Sequence, residues 1–271
     1  MKRIFPYALL VIGFGSLVLT NIWYETTTFG IRTRTIEVTS LQQIVPVGGR
    51  YVKPILYTHV VGLKDVPVDK AKETFIAAVL PAVLVAKHEI DMLKIRLRVI
   101  RKRNQWSVED SALYLSSKKK FRARDLDDLL LRVGSLPTSI VLAQAAVESG
   151  WGQSRFFLQA NNLFGVWSFD NKEPRIAAGQ TRNKRTIYLR SYADMSESIV
   201  NYFEILASSH AYSRLRKARI EESDPFKLLP HLSNFSERRY QYTKQLKSVI
   251  LQNSLTTYDL YQIDPDYLFE E

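Results

Sequence analysis

Residues Val141 to Trp167 read VLAQAAVESGWGQSRFFLQANNLFGVW, with a single carboxylate, Glu148, at the end of a run of small apolar residues. Pro137 suits the first turn of a helix, and TSIVLAQAAVESG can continue to Gly150, which tolerates a left-handed stop. Ile140, Val141, Leu142, Ala143, Ala145, Ala146 and Val147 are apolar almost all round, so a helix buried on most faces is predicted. Glu148 then falls in the last turn of a central helix, where desolvation and the negative end of the helix dipole both disfavour its charge, and a raised pKa is expected. A carboxylic acid that keeps its proton near neutral pH can give it to a leaving oxygen. The ordinary alternative is a surface glutamate that caps or pairs. The neighbours favour a cleft: Gly150 and Gly152 permit close approach, Trp151 offers an apolar wall, and Asn161, Asn162, Phe164, Gly165 and Trp167 combine amides with aromatic faces of the kind that bind sugars.

Upstream of this stretch the pattern is helical. Phe75, Val79, Ala82, Val83, Leu93 and Leu97 recur at helical spacing, with Asp69 as an N-cap and a kink expected at Pro81. SVEDSALYLSSKKK and RDLDDLLLRVG read as two further short helices, the first started by Ser107 and Asp110 and the second closed by Gly134. Their basic runs read as solvated helix ends. Strand content is expected only in the stretch before Pro67, in short alternating pieces such as TRTIEV, and downstream in a hairpin between about Ile176 and Tyr192, while Asp194 and Glu197 read as the start of another helix.

The amino terminus opens with Met1, Lys2 and Arg3 and continues through IFPYALLVIGFGSLVLTNIWY, Ile4 to Tyr24, a charge-free stretch of the roughly 20 residues that span a bilayer. Trp23 and Tyr24 fit an interfacial belt, and the leading cations place the amino terminus in the cytoplasm. An uncleaved inner-membrane anchor with the body in the periplasm is expected, with export after signal cleavage as the alternative. The expected division is an anchor at 1–24, an extended tether with little core of its own at 25–66, a helical extension at 67–133, a catalytic domain at 134–255 and a tail at 256–271.

Lysine and arginine outnumber aspartate and glutamate by 38 to 27, which suits an anionic partner; export points to an acidic cell-wall polymer and away from nucleic acid. With no cysteine, thiolate nucleophiles and thiolate metal sites are excluded. The histidines at 59, 88, 210 and 231 lack metal-site spacing, so neither a metal nor another cofactor is expected.

LPTSIVLAQAAVESGWGQSRF with NNLFGVW resembles the bacterial glucosaminidase family, the cell-wall hydrolases of glycoside hydrolase family 73. LRSYADMSESIVNYFEILASSHAYSRLRKAR and LSNFSERRYQYTKQLKSVI extend the resemblance, which is nearest to the Bax-like subgroup. It covers about Pro137 to Leu251, and more loosely begins at Pro67. The resemblance implies a mainly α protein with a lysozyme-like helical core and a small β-hairpin. It also implies hydrolysis of the β-1,4 bond between N-acetylglucosamine and N-acetylmuramic acid in peptidoglycan glycan strands. Glu148 matches the family's catalytic glutamate and would be the general acid.

Two departures stand out. Many relatives carry a second carboxylate on the hairpin, whereas here Asp170 and Glu173 lie early in the corresponding stretch; Glu173, by default a solvated loop charge, is the candidate base, with assistance from the substrate's 2-acetamido group as an alternative. Phe235 stands where the family usually has a tyrosine that lines the cleft, and Tyr240 or Tyr242 would have to compensate. Trp151, Asn162, Phe164, Gly165, Trp167, Tyr192 and Phe235 complete the expected substrate-binding set. A lytic transglycosylase and a catalytically weak glycan-binding module are the rival readings.

Overall fold

In the computed structural model, which describes residues 23–28, 30–182 and 185–269, the chain is mainly helical with three small sheets among those residues. It begins with strands β1 (Trp23–Thr28), β2 (Ile31–Glu37), β3 (Tyr51–Val52) and β4 (Ile55–Thr58). Helices α1 (Val68–Lys102), α2 (Val108–Lys120), α3 (Leu126–Arg132), α4 (Thr138–Ser149) and α5 (Arg155–Ala160) follow. Strands β5 (Trp167–Ser168), β6 (Arg175–Arg182) and β7 (Arg185–Arg190) then precede helices α6 (Met195–Ser208), α7 (Ser213–Glu221), α8 (Pro225–Leu228) and α9 (Tyr240–Gln252). A last strand, β8 (Gln262–Ile263), lies near the end.

Two helices dictate the packing because each has a stretch that is buried on every face. From Thr138 to Ala146, α4 is buried without interruption, and α1, α9 and the short 3-10 segment Leu255–Leu260 pack around it. From Thr74 to Ala86, α1 is likewise buried all round. A helix with no polar stripe must be covered from all sides, and α4, α6 and β4 supply that cover. Pro81 lies inside this enclosed stretch without interrupting α1. Asp69 sits in the first turn of α1 while Pro67 takes the cap position.

The need to cover α1 corrects the expectation of an extended tether. Ile31, Val38, Ile44, Val52, Leu56, Tyr57, Val60 and Leu63 all enter the core. β2 pairs antiparallel with β1 and parallel with β4, forming a three-stranded sheet. The expected tail is docked as well: β8 pairs in parallel with β3, and Asp259 receives the Ser139 backbone N–H at 2.8 Å and its hydroxyl at 2.7 Å. Strand therefore also occurs at the carboxyl end, which the hairpin-and-tether expectation left out. That hairpin forms as β6 and β7, with β5 added on the β7 side.

Of the expected apolar span from Ile4 to Tyr24, residues 4–22 lie outside the described residues; its last two, Trp23 and Tyr24, belong to β1 and not to a helix. No helix among the described residues is long and apolar enough to cross a membrane.

Capping follows the local sequence. Ser107 and Asp110 form a reciprocal capping box at the start of α2, and Asp194 caps α6 while Glu197 accepts the Ala193 N–H at 2.9 Å. The last carbonyls of α6 are met by two arginines: Arg132 reaches Ala207 O at 3.0 Å and Arg216 reaches Leu206 O at 2.9 Å. Val133, one residue earlier than expected, takes the cap position after α3.

The two glycines of ESGWG have different duties. Gly150 ends α4 at φ 60° and ψ 47°, with open space where a Cβ would lie. Gly152, at φ +78°, would put a Cβ 2.7 Å from Leu63 Cδ1 and 2.9 Å from carbons of Phe75 and Phe157. The close approach is thus by the chain itself, where the amino-terminal segment meets the loop after α4. Gly150→Ala should cost only the left-handed strain of about 1 kcal/mol, whereas Gly152→Ala adds overpacking and should cost about 2–4 kcal/mol in denaturant unfolding. Equal losses would contradict this division.

Candidate active site

The buried run of α4 delivers Glu148 to its last turn, where the carboxyl is half-buried. Burial pushes its pKa above the ordinary glutamate value; a hydrogen bond from Tyr242 and the positive charge of Arg238 pull the other way. Tyr242 comes from the buried face of α9, and burial raises the pKa of its hydroxyl. Tyr212 lies close enough for the Glu148 charge to act with burial in raising its hydroxyl to about 12.

Behind the acid runs a continuous polar chain inside the core. Gln144, on α4 one turn before Glu148, is fully buried. Its side-chain amide donates to the Tyr242 oxygen at 3.0 Å, and its carbonyl oxygen accepts from the Tyr202 hydroxyl on α6. Phe235 stacks on Tyr242 with ring centres 5.8 Å apart and an interplanar angle of 8°, and meets Tyr202 edge-on at 5.9 Å. Phe164 stacks on the other partner, Tyr202, at 4.4 Å. Phe235 and Phe164 thus wall the acid's tyrosines. Of the two tyrosines expected to compensate for Phe235, Tyr242 reaches the acid, while Tyr240 is 72% exposed.

Other expected site residues serve the architecture. Asn162 is buried, its amide donating to the carbonyls of Val166 at 3.1 Å and Arg190 at 2.9 Å, and its oxygen accepting the Val166 N–H at 3.0 Å. With those groups occupied it shapes the loop before β5 and does not reach out to a ligand, which corrects the sugar-binding expectation. Asn161 is likewise committed: it bonds the carbonyls of Tyr192 and Ala193 and accepts the His59 N–H. Gly165 makes the turn at φ 66°. Trp151 packs edge-on against Phe75 at 5.6 Å, with the Lys72 ammonium over its ring. Trp167 keeps an open face, 42% exposed beside Phe169 at 86%.

Glu173 is not a solvated loop charge. Its Oε2 pairs with Arg190 at 3.0 Å, and its Oε1 is buried without a hydrogen-bond partner. The Tyr192 hydroxyl donates to Asn201 at 2.9 Å and faces a groove between β2, α1 and α6 that does not include Glu148. The acids of that groove are largely committed to the fold: Asp194 caps α6, Glu197 holds Ala193 and Glu204 pairs with Lys120 at 2.7 Å.

Gln144, Tyr202 and Arg238 were missed from sequence. Gln144 carried a usable signal, since it is the one polar side chain in an otherwise apolar run and lies four residues before Glu148, on the same helix face.

A half-buried carboxyl at the end of an enclosed helix, walled by aromatic rings in a mainly helical body, is the equipment of a glycoside hydrolase. Residues 123–255, just under half of the chain, match the glucosaminidase family model, described as mannosyl-glycoprotein endo-beta-N-acetylglucosaminidase. It is 26% identical over 196 residues to Protein bax of Escherichia coli, covering 67% of this chain and 69% of that protein. Among solved structures, the autolysin Auto catalytic domain of Listeria monocytogenes is 19% identical with a TM-score of 0.39, covering 61% of this chain and 96% of that one. The glycoside hydrolase domain of Salmonella typhimurium FlgJ is 26% identical with a TM-score of 0.37, covering 52% and 90%.

The raised pKa of Glu148 has a consequence for stability. A carboxyl that binds its proton more tightly when folded loses stability as pH rises from its unfolded value through its folded value, and the loss is complete above that. Glu148→Gln removes this fall. Its melting temperature should match the wild type at low pH and exceed it above the window; a variant less stable than wild type at neutral pH would contradict the burial argument.

Proposed function

We propose that the chain hydrolyses the β-1,4 bond after N-acetylglucosamine in peptidoglycan glycan strands, with Glu148 as the general acid. The observation that carries this reading is the desolvated Glu148 carboxyl, turned toward its proton-holding form by burial while Tyr242 occupies it with a hydrogen bond. As the glycosidic bond breaks, negative charge develops on the leaving oxygen, and proton transfer from Glu148 relieves it. The hydrogen bond from Tyr242 and the charge of Arg238 then stabilise the carboxylate left behind.

Glu173 is assigned as the base that activates water on the opposite face of the sugar. Its support is that Arg190 holds one oxygen while the other, though buried, has no protein partner. The exposed Trp167 and Phe169 rings are assigned to sugar stacking, and the excess of 11 positive charges to the acidic wall. The core is read as lysozyme-like on the strength of the enclosed acid-bearing helix and the family resemblance. The apolar run that begins at Ile4 and gives way to β1 at Trp23 supports an inner-membrane anchor, with the body on the periplasmic side.

Mass spectrometry of purified peptidoglycan incubated with residues 23–271 should show new reducing-end N-acetylglucosamine. Glu148→Gln should lower the rate by about 10²–10⁴-fold. Anhydro-muramyl products would shift the assignment to a transglycosylase. Unchanged glycan that nevertheless sediments with the folded protein would mark a binding module. For Glu173→Ala, loss of hydrolysis with recovery on adding azide is expected; full activity without azide would remove Glu173 from the mechanism and favour the substrate's acetamido group.

A further inference from the structure

The polarity of the hydrogen-bond chain behind Glu148 is fixed by its last member. An ionised carboxylate only accepts, so Tyr242 must give its proton to Glu148. Having spent its one proton, the Tyr242 oxygen is left to accept, and the Gln144 amide nitrogen supplies that bond at 3.0 Å. The Gln144 carbonyl must then face Tyr202, which donates to it. The core allows little freedom to this arrangement: Gln144, Tyr202 and Tyr242 are all at most 1% exposed, and the Tyr242 ring is stacked against Phe235.

We infer that Gln144 is a positioning residue for catalysis, orienting the Tyr242 hydroxyl so that its proton is delivered to one oxygen of Glu148 and the other oxygen is left to carry the transferable proton. The inference rests on Glu148 being the general acid. It also accounts for the phenylalanine at 235: the hydroxyl that meets the acid comes from Tyr242, and position 235 need only hold the Tyr242 ring in plane. Neither Gln144 nor Tyr202 has to touch the substrate, and their effect is transmitted through Tyr242 alone. Protonation of Glu148 on the oxygen that Tyr242 does not meet leaves the chain intact, because the second oxygen still accepts from Tyr242. The acid therefore passes through its catalytic cycle without rearranging the polar groups behind it.

The test is a double-mutant cycle on the full chain, using Gln144→Met, Tyr242→Phe and both together. Two readouts are followed: the Glu148 side-chain carboxyl carbon in a pH titration by NMR, and kcat and KM for peptidoglycan across pH. Tyr242→Phe should move the Glu148 titration and the basic limb of the kcat profile to higher pH, and lower kcat by about tenfold with KM unchanged, the size expected for one hydrogen bond to a charged group. In the Gln144→Met background the same Tyr242→Phe change should have a clearly smaller effect on both. Equal effects of Tyr242→Phe with and without Gln144 would overturn the inference, as would a Tyr242→Phe titration that does not move. Should Gln144→Met not fold, Tyr202→Phe, which removes only the hydroxyl that orients the amide, takes its place in the cycle. If wild type proves unable to cleave glycan, the proposed function fails, while the titration still decides whether Gln144 acts through Tyr242.

Discussion

Helix α4 has no polar stripe, and that single fact organises the molecule. Because every face from Thr138 to Ala146 is buried, α1, α9 and the segment around Leu255 must close over it. Because α1 is itself enclosed all round from Thr74 to Ala86, the amino-terminal strands must close over α1 in turn. The hydrophobic driving force of burial is thereby coupled to the placing of one ionisable group. Glu148 lies where the enclosed helix ends, and its carboxyl stands at the margin between core and opening.

That location sets two influences against each other. Burial alone would hold Glu148 as a neutral acid with no means of stabilising the charge it acquires after giving up its proton. The Tyr242 hydroxyl and the Arg238 charge counter the desolvation without cancelling it, since the net shift stays upward. An acid of this kind holds its proton more readily than an exposed glutamate and yet has a donor in place for its conjugate base. The aromatic walls serve the same end, since Phe235 and Phe164 exclude water from the tyrosines while leaving their hydroxyls to the buried amide.

Much of this was legible from residues 137–150, where the proline, the apolar run and the terminal glycine mark a buried helix and its stop. Glu148 followed from the same pattern, as did the helix start at Asp194. What sequence reading missed was long-range. The tether expectation rested on threonine, proline and glycine content, and it overlooked that a run such as FIAAVLPAVLVA needs cover on all sides, which only a neighbouring segment could give. Asn161 and Asn162 have the chemistry of sugar ligands, but their amides are used up on backbone groups of Val166, Arg190 and Tyr192, brought near only by the fold. Glu173 looked solvated because its partner, Arg190, is distant in sequence and reaches it through the β6–β7 pairing. The Gln144 chain joins three helices, so nothing in local spacing could assemble it, although the position of Gln144 relative to Glu148 hinted at a shared face.

The central claim is that the fold itself, without substrate, holds Glu148 as a weaker acid than an ordinary glutamate. The most direct measurement is the titration of the Glu148 carboxyl carbon by NMR in the wild-type protein, assigned by comparison with Glu148→Gln. The account predicts a midpoint clearly above the ordinary glutamate value of 4.5. A midpoint at or below that value would mean that the helix end is effectively solvated, and the account of the acid would be wrong.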